Sequence, residues 1–272
     1  SSSQYTQPYA ATDLGESYPH ATGNTQSHTQ GIEQSGNMLI MTLAHARISG
    51  DGTYINQYYD LLKSWANYLT DNTLTPNDQT TADLESQANM TNLAVKGIIG
   101  VRAMAEISQA LGKTDDATTF ANAASTLVSS WQSLALSQDS LHVLAVYGNE
   151  QSWTLPYNLY ADILLQTNLI SNNIYTSETS FLGGLLPESA NGSLATPFGI
   201  PIDTFTSTQG YASWTMFTAA IMTNSTVRDG LIEPVWTHIM SNISGFPYST
   251  TYKLDSTGAL VAGRSSPALV LD

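Results

Sequence analysis

The chain has 272 residues, 42% of them hydrophobic, which is enough to bury a substantial core in one large domain or two small ones. Its formal net charge is −14, with 8 Lys and Arg against 22 Asp and Glu, which argues against nucleic acid or an anionic membrane surface as a partner. Cysteine is absent, which excludes disulfides and thiolate metal sites. No run approaches the roughly 20 apolar residues of a membrane span, so we expect no membrane-spanning segment.

The N-terminal region combines a long polar segment with an apolar one. Proline and glycine punctuate the first part of residues 5–48, which predicts an ordered loop. From Asn37 to Ile48 apolar residues fall on nearly every face, as in a buried helix. Long loops in compact domains are usually functional, so Asp13 and Glu33 are candidate catalytic groups here. The alternative is a surface loop whose carboxylates are merely solvated.

Helical periodicity dominates the rest of the chain, and strand signals are scarce. The spacing of apolar residues predicts helices over residues 37–48, 55–69, 89–111, 114–134, 156–167, 177–186, 211–223 and 227–240, the one at 177–186 being short. Gly112 ends one helix and Thr114 caps the next, while Pro234 is expected to kink the last one. Residues 141–147 are predicted as a strand or an extended connector, and the tail from Gly245 as a hairpin.

Long polar loops separate these helices into hairpins. Such hairpins stack side by side into a toroid or a solenoid with their loops at one rim. We expect the fold class to be mainly α, an (α/α) toroid belonging to an (α/α)6 barrel. Six hairpins contain about twelve helices, more than the seven or eight predicted. Either the ring is open, or the remaining hairpins come from sequence upstream of Ser1. In either case we expect one side to expose apolar helix faces unless another polypeptide covers them.

The familiar catalytic motifs are missing from the sequence. There is no G-x-S-x-G, H-E-x-x-H, Walker loop or G-x-G-x-x-G, and no S-x-x-K of a serine–lysine amidase. The five histidines show no metal-ligand spacing, so we expect neither a metal nor a cofactor.

What remains is a set of carboxylates on predicted loops. One protonated carboxyl and one ionised carboxylate suffice to hydrolyse a glycoside or an amide. The candidates are Asp13, Glu33, Asp83, Glu85 and Asp203. Their separations, which decide whether any two act together, are not contained in the sequence.

Four N-glycosylation sequons favour a secreted eukaryotic glycoprotein. They begin at Asn89, Asn191, Asn224 and Asn242. The chain opens on Ser-Ser-Ser-Gln without an initiator methionine or a signal peptide, so we interpret it as a piece of a longer precursor.

Several segments, in order along the chain, resemble the C-terminal part of the fungal glutaminase A family. They are PYAATDLG (8–15), YPHATG (18–23), IEQSGNMLI (32–40), YLTDN (68–72), TNLAVK (91–96), YNLYAD (157–162), GIPID (199–203) and Trp214 with FTAA (217–220). The resemblance implies a secreted protein in which a β-rich region precedes a helical toroid, with residues 1–272 forming a single toroid domain. It also implies hydrolysis of L-glutamine to L-glutamate and ammonia.

The resemblance also implies roles for individual residues. Glu33 or Asp13 would be the general acid or base, with Asp83 in support. Substrate-binding positions would be Asn37, Lys96, Asp203, Tyr211 and Trp214.

The chain departs from the family pattern at charged positions. Gln34 replaces a second acid, Tyr211 and Ser213 stand where the family has Lys and Asp, and a Gly-rich run is reduced around Arg264. These changes remove groups able to hold the ammonium or carboxylate of a free amino acid. The departures therefore keep a second interpretation open.

That second interpretation is a catalytically inactive paralogue that binds carbohydrate, in the manner of a lectin. Aromatic side chains stack on sugar faces, and the candidates are Tyr9, Tyr18, Trp153, Tyr157 and Tyr211. Each of them is also a candidate for ordinary core packing. A third interpretation is a toroid glycoside hydrolase using the same carboxylates. The expected partners are an amino acid amide or a glycan, and in addition the upstream segment of the same precursor or a second copy of the chain.

Overall fold

The structure, a computed structural model, describes residues 5–13, 15, 24, 26–186, 196–241, 243 and 249–262. Within them the chain is mainly helical, as predicted. The helices are α1 (Gly31–Ser49), α2 (Thr53–Gln57), α3 (Tyr59–Asn72), α4 (Thr91–Ala110), α5 (Thr114–Ala135), α6 (Tyr160–Leu165), α7 (Asn172–Leu185), α8 (Ala212–Ala220) and α9 (Ser225–Met240). A small sheet contains β1 (Gln209–Tyr211), β2 (Thr251–Lys253) and β3 (Leu260–Ala262), antiparallel and in that order. No described helix is long and apolar enough to cross a membrane.

The chain divides into two compact units. The first comprises Ser1–Leu134 with Ala161–Ile170, and the second comprises Ala135–Tyr160 with Ser171–Asp272. Helices α1 to α4 belong to the first unit, whereas α7 to α9 and the sheet belong to the second. That residues 1–272 form one domain stays a prediction.

The first unit is built on close packing of α1 against α4. Glycines allow this approach, since a Cβ added at Gly100 would lie 3.2 Å from the Cα of Gly36. Helix α4 is buried along nearly its whole length, and Leu39 of α1 and Ile98 of α4 are completely buried. Each such side chain contributes roughly 1.5–3 kcal/mol of transfer free energy, so this interface is a principal source of stability.

Helix α1 differs from its prediction at its start and in its surroundings. It begins at Gly31, six residues before the predicted Asn37, because the polar first turns are packed rather than solvated. The backbone N–H of Ile32 donates to Gln79 Oε1 at 3.1 Å. The prediction of burial on every face is wrong, since Met41 is 65% and Ile48 80% exposed.

An apolar groove lies between α1 and the α2–α3 segment. Its volume is about 400 Å³, and its walls are Met38, Met41, Thr42, His45, Tyr54, Tyr58, Leu61, Leu62 and Trp65. The rings of Tyr54 and Tyr58 stack at its edge with centroids 6.4 Å apart. Exposed apolar helix faces were expected for an incomplete ring of hairpins, and a surface of this kind is typical of an interaction site.

The other helices predicted in the first unit are present, but one of them is divided into two. The helix predicted over residues 55–69 is divided at Tyr58, whose φ of −108° and ψ of 18° are not helical. The helices predicted over residues 89–111 and from Thr114 are confirmed as α4 and α5. Gly112 lies between them with a φ of 70°, in the left-handed region that glycine tolerates.

The second unit has a core of its own and carries the short elements. Leu155, Tyr157, Leu182, Ile202 and Leu231 are central to that core. The hairpin predicted in the tail is confirmed as β2 and β3, whereas the pairing of β1 with β2 was missed. The predicted helix over residues 156–167 is only a 3-10 turn followed by α6, and the segment 141–147 contributes one isolated bridge, Leu136 to Val143.

Two substitutions on α1 test the assignment of its buried and exposed faces. Leu39→Ala should lower the free energy of unfolding by about 2–5 kcal/mol, because it leaves a cavity in the α1–α4 interface. Met41→Ala should change it by less than about 0.5 kcal/mol, because that side chain is largely in solvent. Urea unfolding measures both, and equal effects would contradict the described orientation of α1.

Candidate functional site

A buried ion pair joins α1 to α4. Lys96 Nζ donates to Glu33 Oε1 at 2.6 Å, and the two side chains are only 6% and 3% exposed. The stem of Lys96 runs past Gly36, where a Cβ would come within 2.9 Å of Lys96 Cγ. Two predicted site residues from distant segments are therefore in direct contact, and both are screened from solvent.

The loop of residues 5–13 is anchored to α1 two residues beyond Glu33. The backbone N–H of Ala10 donates to the buried Ser35 Oγ at 3.0 Å. His28 ties the loop down further, because its Nδ1 accepts the Gln30 N–H at 3.1 Å and its Nε2 lies 3.0 Å from the Ala10 carbonyl oxygen. Since Nδ1 accepts, Nε2 carries the proton and donates to that carbonyl.

A cluster of tyrosines packs the same loop against α3. The ring of Tyr9 lies 5.1 Å from that of Tyr68 and 6.4 Å from that of Tyr5, measured between centroids. Burial, reinforced by the neighbouring Tyr9 and Tyr68 hydroxyls, raises the pKa of Tyr5 to about 12. Tyr5, Tyr9 and Tyr68 form a packed wall beside the N-terminal end of α1.

Asp13 is the exposed carboxylate of this region. Its Oδ2 accepts the Asn24 side-chain amide at 3.1 Å and the Thr12 hydroxyl at 2.9 Å, while Oδ1 accepts the Gly15 N–H at 2.7 Å. The bond from Asn24, followed by those from Gly15 and Thr12, holds the pKa of Asp13 below its ordinary value. Asp13 is thus ionised and open to water, the protonation state in which a carboxylate can accept a proton.

A second loop, residues 74–90, also reaches the N-terminal end of α1. The Thr80 N–H donates to the Thr29 carbonyl at 2.8 Å, and the Gln30 side-chain amide donates to the Thr81 carbonyl at 3.2 Å. Asp83 lies half-buried in this loop. Asn37, half-exposed, follows Glu33 by one turn and so projects from the same face of α1. Five predicted site residues thus belong to the first unit: Glu33 and Lys96 are in direct contact, Asn37 lies on α1, and Asp13 and Asp83 lie on the two loops bonded near the N-terminal end of that helix.

The other three predicted site residues belong to the second unit. Asp203 is 3% exposed, and its Oδ1 accepts the N–H groups of Phe205 and Thr206 at 2.8 and 2.6 Å. Tyr211 is part of the hydrophobic core, and Trp214 stacks on Tyr157 with centroids 4.5 Å apart. In the described structure Tyr211 and Trp214 thus contribute to the packing of the core, and Asp203 holds a turn by its hydrogen bonds.

Sequence reasoning passed over a carboxyl group whose pKa is strongly raised, that of Glu178 on α7. It is 1% exposed, its Oε1 accepts the Val143 N–H, and no described residue bonds its Oε2. Burial raises the pKa of Glu178 to about 8, and the Val143 N–H acts weakly in the opposite direction. A glutamate surrounded by Ser and Thr gives no sign of burial in the sequence, so only its position on the inward face of α7 reveals it.

No metal site emerges from the described side chains, among which no group of three or more His, Asp and Glu is arranged to hold an ion. Of the sequons, Asn191 and Asn242 lie outside the described residues, as does Tyr18 of the aromatic candidates. Asn89 is half-buried with a φ of 61°. Asn224 is exposed and caps α9, its Oδ1 accepting the N–H groups of Thr226 and Val227.

Comparison with known proteins places this chain in a family of helical-hairpin proteins. The model of the Glutaminase A six helical-hairpin domain matches residues 1–269, and the chain belongs to that family. Glutaminase A of Aspergillus oryzae is 35% identical over 266 residues, which is 96% of this chain and 37% of the relative. A probable glutaminase of Arthroderma benhamiae is 25% identical, with 94% of this chain and 39% of the relative covered.

The match confirms both the resemblance noted in the sequence and the predicted fold class, mainly α and built from helical hairpins. The chain spans less than two-fifths of the length of these two relatives.

The ion pair can be tested by removing its cation. Lys96→Met should lower the free energy of unfolding by about 3–5 kcal/mol at neutral pH, because it leaves the Glu33 carboxylate buried without a partner. The double variant Lys96→Met/Glu33→Gln should recover much of that loss, since no charge is then buried. Urea unfolding of the wild type, both single variants and the double variant forms a complete cycle. Additive effects of the two substitutions would show that the two groups do not interact.

Proposed function

We propose that this chain is the helical part of a glutaminase-like amide hydrolase whose substrate is an amino acid amide, L-glutamine foremost. The relatives named glutaminase support the reaction class. The observation that carries the proposal is Asp13, an exposed, ionised carboxylate held in a loop anchored beside a buried Glu33–Lys96 pair.

Asp13 is assigned the role of general base and then of general acid. It takes a proton from water as the water oxygen attacks the side-chain amide carbon of the substrate. It then passes that proton to the amide nitrogen as the carbon–nitrogen bond of the tetrahedral intermediate breaks, giving a carboxylic acid and ammonia. One carboxylate thus serves both steps, and atoms and charge balance.

Glu33 is assigned a positioning role in this scheme. Its carboxylate is 3% exposed and bound by Lys96, so water and substrate do not reach it. Two residues further along α1, Ser35 holds the loop that carries Asp13. Glu33 and Lys96 therefore act by holding the end of α1 on which the loop is built.

The decisive assay is ammonia release from L-glutamine by the full-length protein. Asp13→Asn should lower kcat by about 100-fold or more, because the amide cannot accept the proton of water. Asp51→Asn is the matched control. Asp51 is equally exposed in the same unit, and its Oδ1 likewise accepts a nearby backbone N–H, from Thr53 at 2.8 Å. Its replacement should leave kcat unchanged.

Full activity in Asp13→Asn would refute the role of Asp13. Folded wild-type protein that releases no ammonia would refute the glutaminase proposal, and screens with glycosides and a glycan array would follow. For the lectin-like alternative, Trp153, Tyr157 and Tyr211 are 8%, 4% and 8% exposed, which leaves them little surface to stack on a sugar.

We further propose that the protein is a secreted glycoprotein, on the strength of its sequons. At Asn224 the carbonyl oxygen makes the helix cap, and the amide nitrogen to which a glycan attaches takes no part in it. Protein from its native source should therefore lose glycan mass at Asn224 on treatment with an N-glycosidase, as shown by peptide mass spectrometry. Unmodified Asn224 together with unmodified Asn89, Asn191 and Asn242 would remove the support for secretion.

A further inference from the structure

The proposed chemistry makes no use of Glu178, the buried carboxyl group of the second unit. The residue lies in the middle of α7 and is 1% exposed. One oxygen accepts the backbone N–H of Val143, while the other has no hydrogen-bond partner among the described residues. A buried polar atom left in this state needs a physical explanation.

The segment to which Glu178 is bound runs from residue 135 to residue 153. It folds back on itself through the bond from the Leu144 N–H to the Ala135 carbonyl at 2.8 Å and that from the Ser137 N–H to the His142 carbonyl at 3.0 Å. The bond from Val143 to Glu178 therefore ties this turn to α7. We name residues 135–153 the clasp.

Aromatic contacts also join the clasp to α7. The ring of His142 stacks on Phe181 with centroids 4.3 Å apart, and Trp153 lies against the same Phe181 at 6.1 Å. At its far end, the clasp is bonded to the loop that carries Asp203. The backbone N–H of Trp153 donates to Thr204 Oγ1 at 2.8 Å, and the backbone carbonyl oxygen of Trp153 accepts the Thr204 N–H at 3.1 Å. If the clasp moved away from α7, the loop that carries Asp203 would therefore be displaced as well.

Charged groups near α7 do not account for the state of Glu178. The clasp carries Asp139, His142 and Glu150, and α9 carries Arg228, Asp229, Glu233 and His238. His142 Nε2 bonds the Ser152 carbonyl, Glu150 bonds the Gln138 N–H, and Arg228 pairs with Asp229. The pKa of Glu178 is raised by burial alone and lowered only by Val143, with no contribution from these groups.

We propose that Glu178 is a proton-dependent latch: as a neutral carboxylic acid it holds the clasp on α7, and loss of its proton favours release. A neutral acid can remain in the interior with one group unpaired, whereas a carboxylate there would be a buried charge without a counter-ion. When the clasp opens, water reaches the carboxyl group and its pKa returns towards the ordinary value.

The direction of the pH dependence follows from the two pKa values. The closed state keeps its proton up to a pKa of about 8, whereas an open, hydrated glutamate loses it near 4.5. Between these pH values the closed state binds more protons, so opening becomes more favourable as the pH rises. Above about pH 8 both states are ionised, and the opening equilibrium no longer changes with pH.

Hydrogen exchange with mass spectrometry on the full-length protein tests the latch. Protection of the clasp, corrected for the intrinsic exchange rate of each amide, should fall by at least about tenfold between pH 5 and pH 8. Peptides from α4, in the other unit, should keep their protection and serve as the internal reference. In Glu178→Gln, which is neutral at every pH, the clasp should keep the same protection at both pH values.

Glu233→Gln is the matched control, since Glu233 is an exposed carboxylate on α9 of the same unit. This variant should behave as the wild type does. Unchanged clasp protection in the wild type between pH 5 and pH 8 would overturn the latch, as would an equal loss in Glu178→Gln. A parallel loss in the α4 peptides would also overturn it, because that would be unfolding of the whole protein. If Glu178→Gln does not fold, the latch is tested by comparing the pH dependence of protection in the clasp and in the α4 peptides of the wild type.

Discussion

The first unit depends on one buried ion pair, between Glu33 and Lys96. The two residues are 63 positions apart in the sequence and lie on different helices, each more than nine-tenths buried. Either charge left alone there would destabilise the fold by several kcal/mol, so each is tolerated in the α1–α4 interface because the other is present. Gly36 and Gly100 provide the necessary space. Because Ser35 on the same turn holds the loop of Asp13, the proposed chemistry depends on this helix interface.

Three carboxyl groups of the protein lie in three different environments. Asp13 is exposed and accepts three hydrogen bonds, which keep it ionised. Glu33 is buried against a cation. Glu178 is buried with a single backbone N–H, so the neutral acid is favoured. These environments suit a base, a structural anchor and a group sensitive to protons, three roles that residue type alone does not distinguish.

Much of the fold was predictable from local patterns. Helices α4 and α5 were located closely because their apolar spacing is regular and Gly112 and Thr114 mark the boundary between them. The errors lie where tertiary contacts override local preference. Helix α1 begins at polar residues because Gln79 and the Ala10 loop satisfy its first turns, and strand β1 forms because β2 lies beside it. Of the candidate site residues, Glu33 and Lys96 are in direct contact, Asn37 lies on the same helix as Glu33, and Asp13 and Asp83 lie on loops bonded near its N-terminal end, while their roles stay predictions. Glu178 was missed, because a glutamate among polar neighbours has no pattern that indicates burial.

The sequence by itself determined the mainly helical class, the order of most helices, the lack of disulfides and the resemblance to the glutaminase A family. It could do so because helix periodicity, glycine and proline positions and short motifs are local properties of the chain. Only the tertiary structure decided that Glu33 pairs with Lys96, that one face of α1 is exposed, and that Glu178 is buried with one oxygen unpaired. Those outcomes depend on which distant segments come together and on how much water they exclude, and no single stretch of sequence contains that information.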